Sequence, residues 1–173
     1  MDFSSRRLAY EPLVSGHAAG LLVALGDPRV SEHFTQPEPS SMGAMLAQLR
    51  LLCAGPPAHR SQESWLNFAV RFPGDRLIGR IEATIAGTSA ELAYLFDPSV
   101  WGYGFATEAV VWLEEYCRAT AGVLEFWAAV PPANERSIRL LTRLRYRELE
   151  AAAWPNAATF EPGCRVFQRS SGL

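Results

Sequence analysis

The sequence predicts a mixed α+β fold, and three observations carry that prediction. Between Ser64 and Asp97 the apolar residues alternate in three successive segments separated by turn residues, the pattern of an antiparallel meander. From Ala106 the apolar period changes to that of a helix. A short apolar run, Val123–Val130, then completes a strand–helix–strand crossover with two parallel strands. No internal repeat or linker divides the 173 residues, so residues 1–173 read as a single domain with room for a sizeable core.

The elements follow in order. Arg7–Glu11 alternates weakly before Pro12 and predicts a short first strand. Ser15 is placed to cap a helix through about Leu25, which Gly26-Asp27-Pro28 stops. Residues 34–41 are rich in proline and serine and predict a loop. Ser41 opens a second helix carrying Met42, Met45, Leu46, Leu49 and Leu52 at helical spacing, and Gly55-Pro56-Pro57 ends it. The stretch to Glu63 is polar.

Trp65, Phe68 and Val70 mark a strand over Ser64–Arg71, and Pro73-Gly74-Asp75 is a turn. Leu77–Ile85 alternates: Leu77, Gly79, Ile81, Ala83 and Ile85 fall on one side, Arg80, Glu82 and Thr84 on the other. Gly87-Thr88-Ser89 turns the chain into Ala90–Asp97. Ala106, Ala109, Val110, Leu113 and Cys117 define a helix, with Gly122 where a C-terminal cap belongs. Val123–Val130 reads as a central strand buried on both faces. Asn134 caps a helix to about Leu144, and strands are predicted near Tyr146–Ala152 and Arg165–Arg169. Trp65, Phe68, Trp112 and Trp127 are expected in the core.

Composition excludes several classes of function. The net charge of −2 gives no concentrated basic surface for nucleic acid. No apolar run approaches the length of about 20 residues that a membrane span needs, and no apolar segment follows Met1–Arg7 as a signal peptide would require. Cys53, Cys117 and Cys164 are odd in number and widely spaced, which predicts neither a disulfide framework nor a zinc site, and a cytoplasmic location is expected. His17, His33 and His59 have no metal-ligand spacing and read as surface or capping residues, so no metal is expected. A homodimer is compatible with the chain as the commonest assembly.

The segment most informative about chemistry runs from Asp97 to Ala109, between a strand and a helix start. The first N–H groups of a helix lack internal partners and carry the positive end of the dipole, so an anion is favoured there. Gly102 and Gly104 let a bulky phosphate approach the backbone, Ala106 keeps the next position small, and Thr107 adds a hydroxyl donor. On spacing alone, two glycines before a helix are as well explained by a tight turn. No Gly-Lys-Ser/Thr follows, which excludes a P-loop. The hairpins upstream argue against a dinucleotide-binding domain, which would sit in a largely parallel sheet.

At these residues the chain resembles the GNAT superfamily of N-acetyltransferases, and within it the branch that includes the ribosomal-protein N-terminal acetyltransferases. Trp101-Gly102-Tyr103-Gly104-Phe105-Ala106-Thr107-Glu108-Ala109 matches that branch's W-G-x-G-[YF]-A-T-E-A tract. Asn134-Glu135-Arg136-Ser137-Ile138-Arg139-Leu140-Leu141 matches its N-x-x-S-x-x-L-L tract. Arg7-Leu8, Gly26–Val30 and Leu77–Arg80 resemble it less specifically, and the likeness spans nearly the whole chain in order. The resemblance implies a mixed, mostly antiparallel sheet of six or seven strands with about four helices. It implies that strands four and five are parallel and splay apart around the pantetheine arm of acetyl-CoA, the acyl donor. Main-chain groups near Leu95 and Phe96 would pair with pantetheine, backbone groups across Trp101, Gly102, Tyr103, Gly104, Phe105, Ala106 and Thr107 would cradle the pyrophosphate, and Asn134 would touch CoA with its side chain. Three positions depart from the family. Tyr103 stands where a lysine or arginine is frequent, Arg145-Tyr146 replaces Gly-Phe, and Leu141 occupies the position of a tyrosine general acid in many members.

The implied activity is transfer of acetyl from acetyl-CoA to a primary amine, a small molecule or a protein N-terminus, by direct attack. The alternative is a non-catalytic CoA-binding regulatory or interaction module, which Leu141 keeps open. Direct attack needs the ammonium deprotonated, the carbonyl polarised and the departing thiolate stabilised. Glu82 and Glu91 fall on one sheet face if Gly87 closes a simple hairpin, and either is a candidate base. Ser137, one turn beyond Asn134, lies near the thiol in the resembling branch and is a candidate acid or orienting group; a local helix-start bond is the competing role. Arg136, Arg139 and Arg143 form a basic stripe that reads as a solvated face. The N-terminal helices and residues 34–41 and 55–63 are expected to shape the acceptor pocket.

Overall fold

The alternation over residues 64–97 folds as a meander and the rest of the sheet grows from its two edges. A computed structural model describes residues 3–72, 74, 76–150 and 163–170. Its elements are β1 (Ala9–Pro12), α1 (Ala18–Leu25), α2 (Met42–Ala54), β2 (Glu63–Phe72), β3 (Arg76–Ala86), β4 (Ser89–Phe96), α3 (Phe105–Ala121), β5 (Glu125–Val130), α4 (Glu135–Arg143), β6 (Arg147–Glu148) and β7 (Arg165–Ser170). The strands form one sheet in the order β1-β2-β3-β4-β5-β7-β6, with β4 and β5 parallel and every other neighbouring pair antiparallel.

Two apolar layers cover the sheet. On one face α3 and α4 pack Val110, Trp112, Leu113 and Leu141 against Phe68, Ile81, Leu92 and Phe126. Tyr10 stacks on Trp112 with ring centroids 3.7 Å apart. On the other face α1 and α2 pack Leu21, Leu25, Met45 and Leu49 against Ala69, Leu77 and Leu95. Burying each such side chain stabilises by about 1.5–3 kcal/mol, so the two helical layers hold the sheet rigid on both sides. Phe68, Trp112 and Trp127 are buried as expected, whereas Trp65 is half-buried and its indole donates to Glu63.

Local chemistry explains the departures from the expected boundaries. β1 begins two residues late because the Arg7 N–H donates to the Glu108 carboxylate rather than to a neighbouring strand. Ser15 does not cap α1; Ser15–His17 is a 3-10 turn. His17 is buried, accepting from the Val14 N–H on Nδ1 and meeting Glu11 through Nε2. Ser41 caps α2 by accepting from the Ala44 N–H, as its position predicts. In β3 the pairing with β2 slips between Val70 and Arg71, a bulge that breaks the alternation. Leu77 therefore faces α1 and α2, and Ile78 joins Ile81, Ala83 and Ile85 on the α3 side. Gly79 admits β4 at close range, since a Cβ there would lie 2.2 Å from the Leu95 carbonyl oxygen.

The turn after α4 takes a left-handed residue that is not glycine. Arg145 adopts φ 67°, the left-handed conformation that glycine takes most easily. The Tyr146 N–H then donates to the Leu141 carbonyl and the ring turns inward, its hydroxyl donating to buried Glu114 at 2.6 Å. This shortens the described part of the strand expected over Tyr146–Ala152 to β6; Ala151 and Ala152, and the turn residues Pro73 and Asp75, lie outside the described residues.

Candidate active site

The site grows from a gap in the sheet. β4 and β5 pair only at Ser89–Glu125, Ala90–Phe126 and Glu91–Trp127. Beyond these, a cavity of about 910 Å³ lies between Leu92–Phe96 and Ala128–Val130. Parallel strands that diverge leave backbone donors and acceptors facing each other across the opening, and an extended ligand with amide groups can satisfy them. Leu95 and Phe96 both line it. The Phe96 carbonyl already accepts from the Trp101 indole at 2.8 Å, a bond that fixes the turn leading into α3.

That turn opens the N-terminus of α3 onto the same cavity. Gly102 and Gly104 hold φ 84° and 80°, and no side chain caps the helix. The N–H groups of Phe105, Ala106 and Thr107 occupy the positions that have no intrahelical acceptor. A Cβ on Gly102 would meet nothing within 4 Å, so packing does not require glycine there; the left-handed backbone and access for a ligand do. Trp101, Gly102, Gly104, Phe105, Ala106 and Thr107 line the cavity. The Tyr103 side chain does not; it is 68% exposed.

Glu108, in the first turn of α3, places a negative charge where an anion would bind. Arg7 and Ser5 cover it: Arg7 Nε lies 2.7 Å from one carboxylate oxygen, and Ser5 Oγ and the Arg7 N–H donate to the other. Burial works against the Glu108 charge, and these hydrogen bonds overcome it and hold its pKa below the ordinary value. Arg7 also donates to the Tyr103 carbonyl and lies over the Phe105 ring, so a cation reaches the turn from another part of the chain. On the α4 side Arg136 lies 4.1 Å over Trp101, Arg139 pairs with Glu135, and Arg143 completes a basic edge of the cavity. The stripe read as a solvated face is exposed and lines the site as well.

At the other end of α4, the Asn134 side chain accepts from the Ser137 N–H at 3.1 Å, which makes Asn134 the helix cap. Its amide NH2 is not used by that bond. Ser137 Oγ lies 2.5 Å from the Tyr94 hydroxyl, and both residues line the cavity. Burial pushes the Tyr94 phenol up to about 12, against a lowering by its bond to Ser137, so it stays protonated at neutral pH. Sequence reasoning missed Tyr94. Its one signal was a hydroxyl placed at a core-facing position of β4, where a buried phenol requires a partner. Leu141 is fully buried in the core and offers nothing to the cavity.

The two candidate bases separate. Glu91 stands opposite Thr84 and Glu82 opposite Ala93, on the shared face that a simple hairpin predicts. Glu91 lines the cavity; Glu82 does not. Glu82 lies 3.1 Å from Arg80, which also binds Glu38 at 2.8 Å. The same Arg80–Glu38 contact ties down the loop before α2, and the preceding residues Arg29, Glu32, His33 and Phe34 line the cavity. Residues 55–63 do not line it.

The features fit acetyl-CoA: a gap with open strand edges, an uncapped helix start for a pyrophosphate and a basic edge beside it. A family model described as the acetyltransferase (GNAT) domain matches residues 7–147. Among curated proteins, no sequence matches this chain significantly. Solved structures share its fold. A GNAT-family acetyltransferase from Bacillus anthracis superposes with a TM-score of 0.74 at 15% identity, covering 97% of this chain and 96% of that one. An acetyltransferase from Salmonella typhimurium, described as modifying the N-terminal serine of ribosomal protein L7/L12, gives 0.75 at 14% identity, with 96% of each chain covered. A ribosomal L7/L12 α-N-protein acetyltransferase in complex with coenzyme A gives 0.72 at 13% identity, covering 96% of this chain and 95% of that one. With the family match spanning most of its length and its gap, helix start and basic edge all suited to the donor, this chain belongs to the GNAT acetyltransferase family and is an acetyl-CoA-dependent acetyltransferase.

Proposed function

We propose that the protein transfers acetyl to a primary amine, either a protein N-terminus or a small amine, by direct attack without a covalent enzyme intermediate. The observation that supports this reading most is the single cavity that joins the β4–β5 gap, the open start of α3 and the Asn134–Ser137 turn. Acetyl-CoA supplies the activated thioester. The N–H groups of Phe105, Ala106 and Thr107 hold its pyrophosphate, the edges of β4 and β5 bind the pantetheine arm, and the Asn134 amide contacts it near the thiol.

The chemistry then divides between the two faces of the sheet. Glu91, which lines the cavity, draws the proton from the incoming ammonium, directly or through water. The freed nitrogen forms the C–N bond as the C–S bond breaks, the electron pair stays on sulfur, and the nitrogen gives up a second proton to solvent as the amide forms. Ser137, on the α4 side, stabilises that sulfur with its hydroxyl. Relatives described as ribosomal-protein acetyltransferases support a protein N-terminus among the acceptors.

The test is free-thiol release from acetyl-CoA against a panel of serine- and alanine-initiated peptides, spermidine, an aminoglycoside and free amino acids. Glu91→Gln is expected to lower kcat on the active amine by at least about 100-fold, the usual scale for loss of a general base. Glu82→Gln is expected to leave it within about twofold. Full turnover in Glu91→Gln overturns the assignment of the base. A thermal shift with acetyl-CoA but no thiol release on any amine supports a non-catalytic CoA-binding module instead.

A further inference from the structure

We propose that Tyr94 is a positioning residue for the transfer step: its phenol donates to Ser137 Oγ and so aims the Ser137 hydroxyl hydrogen at the departing sulfur. This rests on the acetyl-transfer reading above. The geometry behind it is specific. Tyr94 projects from β4 at the gap, Ser137 from the first turn of α4, and their oxygens meet at 2.5 Å on the cavity wall. A hydroxyl has one hydrogen and rotates freely until a partner fixes it. Ser137 sits one turn into its helix, where a lone serine commonly turns back to bond the local backbone. An incoming phenolic hydrogen occupies a lone pair of Ser137 Oγ and leaves its own hydrogen to point elsewhere, and the cavity is the open direction.

The relative acidities decide between positioning and proton transfer. With its phenol at about 12, Tyr94 would yield its proton to a thiolate of ordinary basicity, near 8.5, only against an equilibrium unfavourable by about three thousandfold. Tyr94 therefore keeps its proton throughout. The C–S bond breaks with its electrons on sulfur, the Ser137 O–H hydrogen-bonds to that charge, and the thiolate takes its proton from solvent on release. Apart from the amine, the thioester and the Glu91 carboxylate that takes up a proton, no group changes its covalent bonds.

The experiment compares Tyr94→Phe, Ser137→Ala and the double variant with the wild type. It measures kcat and KM for acetyl-CoA by thiol release with the best amine of the panel, and CoA affinity by thermal shift. The expected result is a kcat loss of about tenfold for Tyr94→Phe, the scale of one directed hydrogen bond, with acetyl-CoA KM and the CoA-induced shift unchanged. In the Ser137→Ala background Tyr94→Phe should cost nothing more, because the hydroxyl it aims is absent. Wild-type kcat in Tyr94→Phe overturns the proposal, as does a full additional loss in the double variant. So does a loss confined to CoA affinity, which would make the pair a helix anchor. Absence of turnover in the wild type overturns the acetyl-transfer reading itself. If Tyr94→Phe does not fold, Ser137→Ala carries the test: wild-type kcat there overturns the proposal too.

Discussion

Replacing Arg80 should damage the protein far more than replacing Glu82, the more exposed of the two carboxylates beside it. The Arg80 side chain is 6% exposed and that of Glu38 7%. One guanidinium therefore holds two carboxylates, Glu38 and Glu82, inside the layer between β3 and the loop before α2. Removing one partner of a buried ion pair costs about 3–5 kcal/mol because the other charge is left uncompensated. Arg80→Met strands two. Glu82→Gln leaves Arg80 paired with Glu38 and loses only a 3.1 Å ion contact that is not aligned as a hydrogen bond, about 0–1 kcal/mol. At about 2–4 °C per kcal/mol for a chain of this size, Arg80→Met should lower Tm by about 6–20 °C and Glu82→Gln by less than about 4 °C. Burial already holds the Glu38 pKa above its ordinary value, against the pull of Arg80. Without that cation it rises further, and a raised folded pKa means stability is lost as pH increases. The Arg80→Met deficit should therefore be larger at pH 8 than at pH 5. Thermal melts of both variants at the two pH values are the assay. Equal losses in the two variants, or an Arg80→Met deficit indifferent to pH, would refute the shared-cation argument. They would also reopen Glu82 as a free carboxylate.

Two further outcomes can be measured directly. The Arg71 hydrogen bond, with a second from His17, holds the Glu11 carboxyl below its ordinary 4.5; its stabilisation is present above that pH and vanishes as pH falls through the lowered value. Glu11→Gln should thus be less stable than wild type in urea melts at pH 7, with the gap closing below pH 4.5. Arg145→Gly should raise stability by about 1 kcal/mol by relieving a left-handed backbone, read as an upward shift of the urea midpoint; a neutral or destabilising result would mean that the arginine side chain earns its place at the turn.

Most of the architecture was legible because it is periodic. The meander, the crossover and the caps at Ser41, Gly122 and Asn134 depend on spacings of two or 3.6 residues and on local hydrogen bonds, which the linear chain displays. The β3 bulge was not legible, since a slip against β2 depends on the partner strand, and it reversed the side on which Leu77 packs. In the site, the glycine turn and the Asn134–Ser137 pair were visible as local motifs. The cover over Glu108, the pairing of Arg80 with Glu38 and the Tyr94–Ser137 bond were not. Each joins residues far apart in sequence: Arg7 with Glu108, Glu38 with Arg80, β4 with α4. The separation of Glu91 from Glu82 likewise needed three dimensions, because the two look equivalent on their hairpin.

The brief pairing of β4 with β5 makes this sheet two leaves stitched by three rungs. On the proposed placement of acetyl-CoA, the donor would add the missing rungs, and binding and folding would share one seam. Occupied protein should then protect the amides of residues 92–96 and 128–130 from hydrogen exchange more than any others, and resist unfolding in proportion to the logarithm of donor concentration. Because those rungs would be made by the pantetheine arm and not by the acetyl group, free CoA should stabilise the fold by the same seam.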